Sequence, residues 1–259
     1  MWPVLLEIPL FGGIRIYTYG VLVALGFFAG VGWTVREGRK DQLSRDLILD
    51  LSFYIVLAAL IGSRILYILT NLDQYVENPL DVLKVWKGGL VFFGGLLGAL
   101  AVSFYYAKKM KIPFLKLADA FMPGIALGHA IGRLGCFASG CCHGRPWAGF
   151  FSTTFPDLPM TLAPAGIPLF PSQLMESFTA LLIFLLLCFL RKRQKFIGQI
   201  FFAYLVVYSM SRILLEYFRS DLARSYLIPH WFSVSQAISL CLVLFGLLAF
   251  IRRAKGARP

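Results

Sequence analysis

Arginines inside long apolar stretches are the residues of this sequence with the clearest chemical potential. Arg64, Arg133 and Arg212 each interrupt a largely apolar run. An arginine in the hydrocarbon of a membrane costs at least about 2.5–3.5 kcal/mol on insertion scales and generally faces the protein interior. Guanidinium groups stay charged and bind phosphate oxygens through a planar pair of N–H donors. The three arginines therefore favour a lipid phosphate as ligand.

The three arginines are also expected at one depth. At about 1.5 Å per helical residue, each lies roughly 24–26 Å from the cytoplasmic start of its apolar run. The alternative is that each extends to the membrane interface or pairs with a structural carboxylate, as Arg212 could with Glu216 one helical turn later.

The segment 129–144, HAIGRLGCFASGCCHG, concentrates the remaining polar chemistry. His129 and Arg133 are four residues apart and share a helix face. Cys136, Cys141 and Cys142 lack the C-x2-C pair typical of zinc sites, so the sequence favours a disulfide or free thiols and predicts no metal.

The composition indicates which elements must hold these residues. The chain has 259 residues, of which 58% are hydrophobic and only 15% charged, whereas soluble domains carry about 25% charged residues. We therefore expect an all-α integral membrane protein that forms a single polytopic domain over residues 1–259. Seven stretches are long and apolar enough to cross a bilayer, namely 16–35, 47–69, 88–107, 117–136, 171–190, 196–217 and 231–251.

The basic residues predict the orientation of these spans. Sixteen of the 25 lysines and arginines follow spans one, three, five and seven, and positive loops stay cytoplasmic. The amino terminus is thus expected outside and the carboxyl terminus in the cytoplasm. The longer connections, including the loop 137–170, then face outward. The net charge of +12 reflects basic residues concentrated on the cytoplasmic side of the membrane rather than nucleic-acid binding.

Five motifs in order resemble the prolipoprotein diacylglyceryl transferase family. The most diagnostic is G-R-L-G-C-F-A-S-G (132–140), followed by Gly144, which is similar to the family form G-R-x-G-N-F-x-N-G. The other four are T-Y-G-V-L (18–22), N-P-L (78–80) leading to V-W-K-G-G-L-V-F-F-G-G-L-L-G (85–98), P-S-Q-L-M-E (171–176) and Y-S-M-S-R-I-L-L-E-Y-F-R (208–219).

This resemblance implies a transferase of lipoprotein biosynthesis in the bacterial cytoplasmic (inner) membrane. Its members move the diacylglyceryl group of phosphatidylglycerol to the lipobox cysteine of prolipoprotein signal peptides and release glycerol phosphate. It implies no cofactor, and it places the active site toward the outer face of the membrane.

The resemblance also implies roles for individual residues. Arg133 and Arg212 fall on the family's essential arginines, and Glu216 is expected to orient Arg212. Tyr19, Tyr208 and Gly144 fall on further positions that matter in the family. We expect the two tyrosines to contact the phosphate or ester oxygens.

Arg64 and Glu176 have less definite roles. Arg64 lies in the family-like stretch G-S-R-I-L-Y (62–67) and is expected either to bind substrate or to anchor its helix. Glu176 is expected to pair with one of the arginines.

Two departures from the family pattern affect the chemistry. Phe93 occupies a position where many members carry a candidate histidine base. We expect His129 to replace that base, the alternative being a neutral histidine that only hydrogen-bonds within the bundle. Cys136 and Cys141 stand where the family often has asparagine and glutamate, so those polar contacts cannot be carried over.

Rival functions explain less of the sequence. A small transporter for an anionic solute would use the arginines as its binding site, but the sequence shows no paired halves. A membrane thiol oxidoreductase would want C-x2-C in an outer loop, and a scaffold protein would leave the buried cations unexplained.

Overall fold

The computed structural model describes residues 3–8, 14–76, 79–84, 88–158, 161–219, 226–228 and 232–256. It divides the chain into two compact units, one formed by Met1–Thr34 with Ala118–Pro259 and the other by Val35–Leu117. Within the sequence motifs, Asn78 and residues 85–87 lie outside the described residues.

Long helices make up most of the described residues, and three short two-stranded antiparallel ribbons accompany them there. The helices are α1 (Thr18–Gly38), α2 (Arg45–Thr70), α3 (Asp73–Val76), α4 (Phe92–Lys109), α5 (Phe114–Ser139), α6 (Ser172–Lys192), α7 (Gln199–Glu216) and α8 (Val234–Gly256). The ribbons pair β1 (Val4–Ile8) with β2 (Ile14–Tyr17), β3 (Thr153–Thr154) with β4 (Pro168–Leu169), and β5 (Tyr226–Ile228) with β6 (Phe232–Ser233).

Six of the helices in the described part of the chain are long and apolar enough to cross a membrane. They are α1, α2, α5, α6, α7 and α8, and many of their large apolar side chains are exposed to the surroundings. This arrangement confirms the expectation of a helical integral membrane protein. The remaining long helix, α4, includes Lys108 and Lys109 among its 18 residues and is not one of these six, so a seventh crossing stays a prediction.

The core of the first unit lies where α5, α6 and α7 meet. Its buried members are small or aliphatic apart from one phenylalanine, and they are Ala126, Ile183, Phe184, Leu187, Ile200 and Ala203. Asp119 of α5 is also buried, and its carboxylate accepts the N–H groups of Gly198 at 2.6 Å and Phe201 at 2.9 Å. A carboxylate there satisfies donors at the start of α7 and complements the positive end of the helix.

Helices α1 and α5 approach closely through glycines spaced four apart. A Cβ added at Gly26 would lie 2.8 Å from the carbonyl oxygen of Gly128, and one added at Gly30 would lie 2.6 Å from that of Gly124. Both distances are too short for a side chain, so this contact requires glycine. Small residues at this spacing are typical of membrane helix interfaces, where they let two backbones pack together.

We expect Gly30→Leu to lower the free energy of unfolding by about 1–3 kcal/mol, because overpacking forces the two backbones apart. Thermal unfolding in detergent, followed by circular dichroism, measures the change. Gly32→Leu is the matched control, since a Cβ there meets nothing within 4 Å. Equal unfolding temperatures for the two variants would show that the contact does not hold the helices together.

The second unit is built around α2 and α4, which pack through Gly62, Gly94 and Gly98. Arg64 of α2 is 7% exposed. Its guanidinium donates to backbone carbonyls of the following loop, at 2.6 Å to Asp81, 3.0 Å to Val82 and 2.7 Å to Gly88. This geometry matches the helix-anchoring alternative, and substrate binding by Arg64 stays a prediction.

The connection from α5 to α6 has its own small core. Helix α5 continues to Ser139, beyond the predicted end at residue 136. Phe155, Ala163 and Leu169 are buried together, with Phe137 packed against them. The predicted long loop 137–170 is therefore a folded segment that ends against the start of α6.

Candidate functional site

A buried carboxylate joins one arginine of α5 to two arginines that lie on α7 and in the turn after it. Glu176, in the second turn of α6, is 6% exposed. Its Oε2 lies 2.6 Å from Nε of Arg133, and its Oε1 lies 3.0 Å from Nη1 of Arg219 and 3.3 Å from Nη1 of Arg212. One carboxylate thus holds three guanidinium groups together.

A second carboxylate fixes one of these arginines. Oε2 of Glu216 lies 2.9 Å from Nη2 of Arg212, four residues earlier on α7. The hydroxyl of Ser233 donates to Oε1 of Glu216 at 3.1 Å. The predicted pairing of Arg212 with Glu216 is therefore present, and Arg212 is held between two glutamates.

The charges in this cluster do not cancel. Among the residues that the structure describes, Arg133, Arg212 and Arg219 carry three positive charges, against two negative charges on Glu176 and Glu216. The side chains of Arg133 and Arg212 remain 18% and 20% exposed, whereas those of the glutamates are 6% or less. One excess positive charge at partly accessible guanidinium groups suits a single anionic group such as a phosphodiester.

His129 contacts the same cluster. Nε of Arg133 donates to Nε2 of His129 at 3.1 Å, one helical turn away on α5. The imidazole also meets the ring of Tyr208 edge to face, with centroids 5.6 Å apart. His129, Glu176, Tyr208 and Arg212 line a narrow cavity together with Ser211. Four residues that the sequence analysis singled out therefore line the same cavity.

Tyr19 lies at the start of α1, against the neighbouring part of α5. A Cβ added at Gly135 would lie 3.2 Å from the carbonyl oxygen of Tyr19 and 3.3 Å from a carbon of its ring. The side chain is 45% exposed, so it sits beside the arginine-bearing turn of α5 and keeps an accessible edge.

Gly144 lies at a close contact between its own backbone and those of Phe170 and Phe218. Its N–H donates to the carbonyl of Phe170 at 2.9 Å, and the next N–H, that of Arg145, donates to the carbonyl of Phe218 at 2.9 Å. A Cβ at Gly144 would lie 2.5 Å from the Phe170 oxygen and 2.7 Å from the Phe218 oxygen. Glycine at this position therefore lets the backbone at Gly144 pack against the backbones of Phe170 and of Phe218, the residue before Arg219.

We expect Gly144→Ala to displace the backbone that leads to Arg219 and to lower activity about tenfold or more, since small misplacements are costly in a preorganised site. Initial rates of the lipid transfer that the family resemblance implies, with a cysteine peptide as acceptor, measure the effect. Gly32→Ala, at a position open to 4 Å, is the control and should match the wild type. Unchanged rates for Gly144→Ala would refute this positioning role.

Three thiols lie beside the arginine cluster. Cys136, Cys141 and Cys142 are free, and their Sγ atoms all lie within 4.8 Å of one another. Nη1 of Arg133 is 4.0 Å from Sγ of Cys136. Hydrogen bonds from Cys136 and Cys141, helped by the charge of Arg133, lower the pKa of Cys142. The structure thus has free thiols here, which was one of the two alternatives left by the sequence.

Sequence reasoning missed two features of the site. No role was predicted for Arg219, and Glu176 was expected to pair with one arginine rather than three. The spacing of Arg212, Glu216 and Arg219, at i, i+4 and i+7, could have placed Arg219 on the same helical face.

Comparison with known proteins adds independent evidence. Residues 3–252 match the model of the family described as prolipoprotein diacylglyceryl transferase. Proteins named phosphatidylglycerol–prolipoprotein diacylglyceryl transferase are similar over nearly the whole chain. That of Clostridium tetani is 34% identical over 251 residues, which cover 96% of this chain and 97% of the relative. The relative in Finegoldia magna is 34% identical, with 94% and 93% covered, and that in Bacillus velezensis is 32% identical, with 95% and 91% covered.

Proposed function

Because the chain belongs to the prolipoprotein diacylglyceryl transferase family, we propose that it transfers the diacylglyceryl group of phosphatidylglycerol to the lipobox cysteine of prolipoproteins. The thiol sulfur forms a thioether bond to the glyceryl carbon, the bond from that carbon to the phosphate oxygen breaks, and glycerol phosphate leaves. The observation that carries this proposal is the cluster of Arg133, Arg212 and Arg219 around Glu176, with its excess positive charge.

The arginines are suited to the charge that develops in this reaction. The phosphodiester of phosphatidylglycerol carries one negative charge, and the departing phosphate gains a second as its bond to carbon breaks. Preorganised cations in a site with little water stabilise such developing charge without reorganising. Glu176 and Glu216 supply the preorganisation here, because they hold Arg133 and Arg212 in fixed positions before lipid binds.

The proposed setting is the bacterial inner membrane, with one domain crossing it seven times. The amino terminus faces outward and the carboxyl terminus faces the cytoplasm, as the basic residues after the odd-numbered spans favour. Residues 137–170 then lie on the outer side, where an exported signal peptide and an outer-leaflet lipid can both reach Arg133 and Arg212. Tyr19 and Tyr208 contact the lipid headgroup in this arrangement, with Gly144 shaping the loop beside it.

The proposal is tested with purified protein, phosphatidylglycerol radiolabelled in its acyl chains, and a lipobox peptide. We expect label on the peptide cysteine and release of unlabelled glycerol phosphate. A peptide with serine in place of the cysteine is the control and should stay unlabelled. Absence of label on the cysteine peptide, with lipid and protein both intact, would contradict the proposal and is what an anion transporter predicts.

We further propose that His129 accepts the thiol proton. His129→Gln should lower the transfer rate about 100-fold or more, since general bases typically contribute 10²–10⁴-fold. Glutamine keeps a hydrogen-bond acceptor for Nε of Arg133. A lower transfer rate in this variant therefore reports the loss of proton transfer and not a displacement of Arg133. Initial rates measured against pH check this. Normal transfer by His129→Gln would make the base assignment wrong and leave His129 as a structural acceptor.

A further inference from the structure

The three clustered thiols lie on a turn whose backbone is fixed from both sides. Gly140 and Cys142 both have positive φ angles, +74° and +58°, and such a conformation is strained for cysteine. The hydroxyl of Ser172 donates to the carbonyl of Cys142 at 2.7 Å, and Nε2 of Gln173 donates to that of Cys141 at 2.8 Å. These bonds tie the turn to the start of α6 and hold Cys141 and Cys142 facing Cys136.

The sulfur positions suit one metal ion. In tetrahedral zinc sites the Zn–S distance is about 2.3 Å, which places neighbouring sulfurs roughly 3.8 Å apart. The Sγ atoms of Cys136, Cys141 and Cys142 already lie within 4.8 Å of one another, so shifts of about 1 Å or less bring them to that spacing. Three thiolates form a soft ligand set that selects thiophilic ions over magnesium or calcium.

The surrounding charge suits the same occupant. The neighbouring arginines and glutamates leave one excess positive charge, and Arg133 reaches Sγ of Cys136 at 4.0 Å. A divalent cation bound by three thiolates has a net charge of −1. The arginine cluster therefore attracts the metal with its three thiolates, whereas it would repel a bare cation.

From this arrangement we infer that Cys136, Cys141 and Cys142 bind one thiophilic divalent cation of the zinc class, with loss of one proton from each thiol. Ser139, whose hydroxyl donates to Sγ of Cys141 at 3.3 Å, orients that ligand. Three protein ligands leave a fourth coordination position for a further ligand, the pattern of zinc sites that take part in chemistry.

The fourth position suits the thiol of the acceptor cysteine, an assignment that rests on the proposed function. A thiol that coordinates zinc is deprotonated, and the thiolate is the nucleophilic form. The sulfur would thereby be activated in a chain that has Phe93 where many relatives carry the candidate base. His129 accepts the proton, as proposed above, and the sulfur leaves the ion as its bond to carbon forms.

The experiment uses the full chain in detergent, reduced and freed of metal, and titrates it with Zn²⁺ and, as an absorbing probe, with Co²⁺. We expect one ion per chain and thiolate-to-cobalt charge-transfer bands. Each of Cys136→Ser, Cys141→Ser and Cys142→Ser should weaken zinc binding at least about a hundredfold, since even outer partners of metal ligands matter 10–100-fold. Cys241→Ser, an exposed free thiol of α8, is the control and should bind like the wild type.

Wild-type protein that takes up no stoichiometric zinc, or serine variants that bind it equally, would overturn the inference. Thermal unfolding without metal identifies a misfolded variant, and the single substitutions provide three independent tests. A lipobox cysteine peptide should change the cobalt spectrum, whereas its serine version should not. An unchanged spectrum overturns the assignment of the fourth ligand. The zinc and cobalt titrations need no lipid, so they test the metal site independently of the transfer reaction. If the protein binds zinc but does not transfer a diacylglyceryl group, the proposed function is disproved and the metal site is not.

Discussion

Arg133→Ala should lower the rate of diacylglyceryl transfer about 10³-fold or more. Removing one preorganised donor from an anion-stabilising site typically costs 10²–10³-fold, and arginines that stabilise a phosphoryl transition state are worth more. Arg133 is also held by Glu176 at 2.6 Å, so its loss removes both a phosphate ligand and a partner of the central carboxylate. Initial rates of peptide labelling at saturating lipid measure the effect.

Two further variants test whether the effect depends on the planar donors of Arg133 and whether it is specific to this arginine. Arg133→Lys keeps the charge and loses the planar pair of donors, so it should recover only part of the rate. Arg252→Ala, an exposed arginine of α8, should match the wild type. Transfer by Arg133→Ala within tenfold of normal, in protein with a normal unfolding temperature, would exclude Arg133 from the phosphate site.

Glu176→Gln is expected to damage both activity and stability. The substitution keeps the shape of the side chain and removes the charge that faces Arg133, Arg212 and Arg219. Breaking a buried ion pair by removing one partner typically costs 3–5 kcal/mol, so we expect a fall of about that size in the free energy of unfolding. The arginines also lose their shared anchor, and kcat should fall about 100-fold or more.

The measurement compares kcat, the KM for phosphatidylglycerol and denaturant unfolding in detergent. Glu7→Gln is the matched control, because Glu7 pairs with Arg15 in an exposed position where ion pairs contribute little. Equal kinetics and stability in Glu176→Gln and the wild type would show that the arginines hold their positions without this carboxylate.

The sequence predicted the long helices well because apolar length is a direct physical requirement for crossing a bilayer. The span predicted over 117–136 is observed as Phe114–Ser139. Three helices begin later than their predicted spans, each for a local reason. Helix α4 begins at Phe92 rather than residue 88, because Gly88 and Gly89 have positive φ angles. Helices α1 and α8 begin late, because β2 and β6 take up the residues before them.

The site was harder to predict, because its contacts depend on how separate helices and loops pack. The pairing of Arg212 with Glu216 is local to one helix, and the sequence found it. The meeting of Arg133, Arg212 and Arg219 on Glu176 pairs this carboxylate with arginines up to 43 positions away, beyond what local periodicity can reveal. Likewise, Arg64 proved to bind the carbonyls of its own loop, and helical rise alone gave only its depth.

The central claim is that Arg133 and Arg212 bind the phosphate of one phospholipid. An experimental structure with phosphatidylglycerol bound tests it most directly. We predict a phosphate oxygen within hydrogen-bond distance of a guanidinium nitrogen of each arginine, with the acyl chains leading away from Glu176. A headgroup bound elsewhere, with both arginines still held only by their glutamates, would contradict the claim.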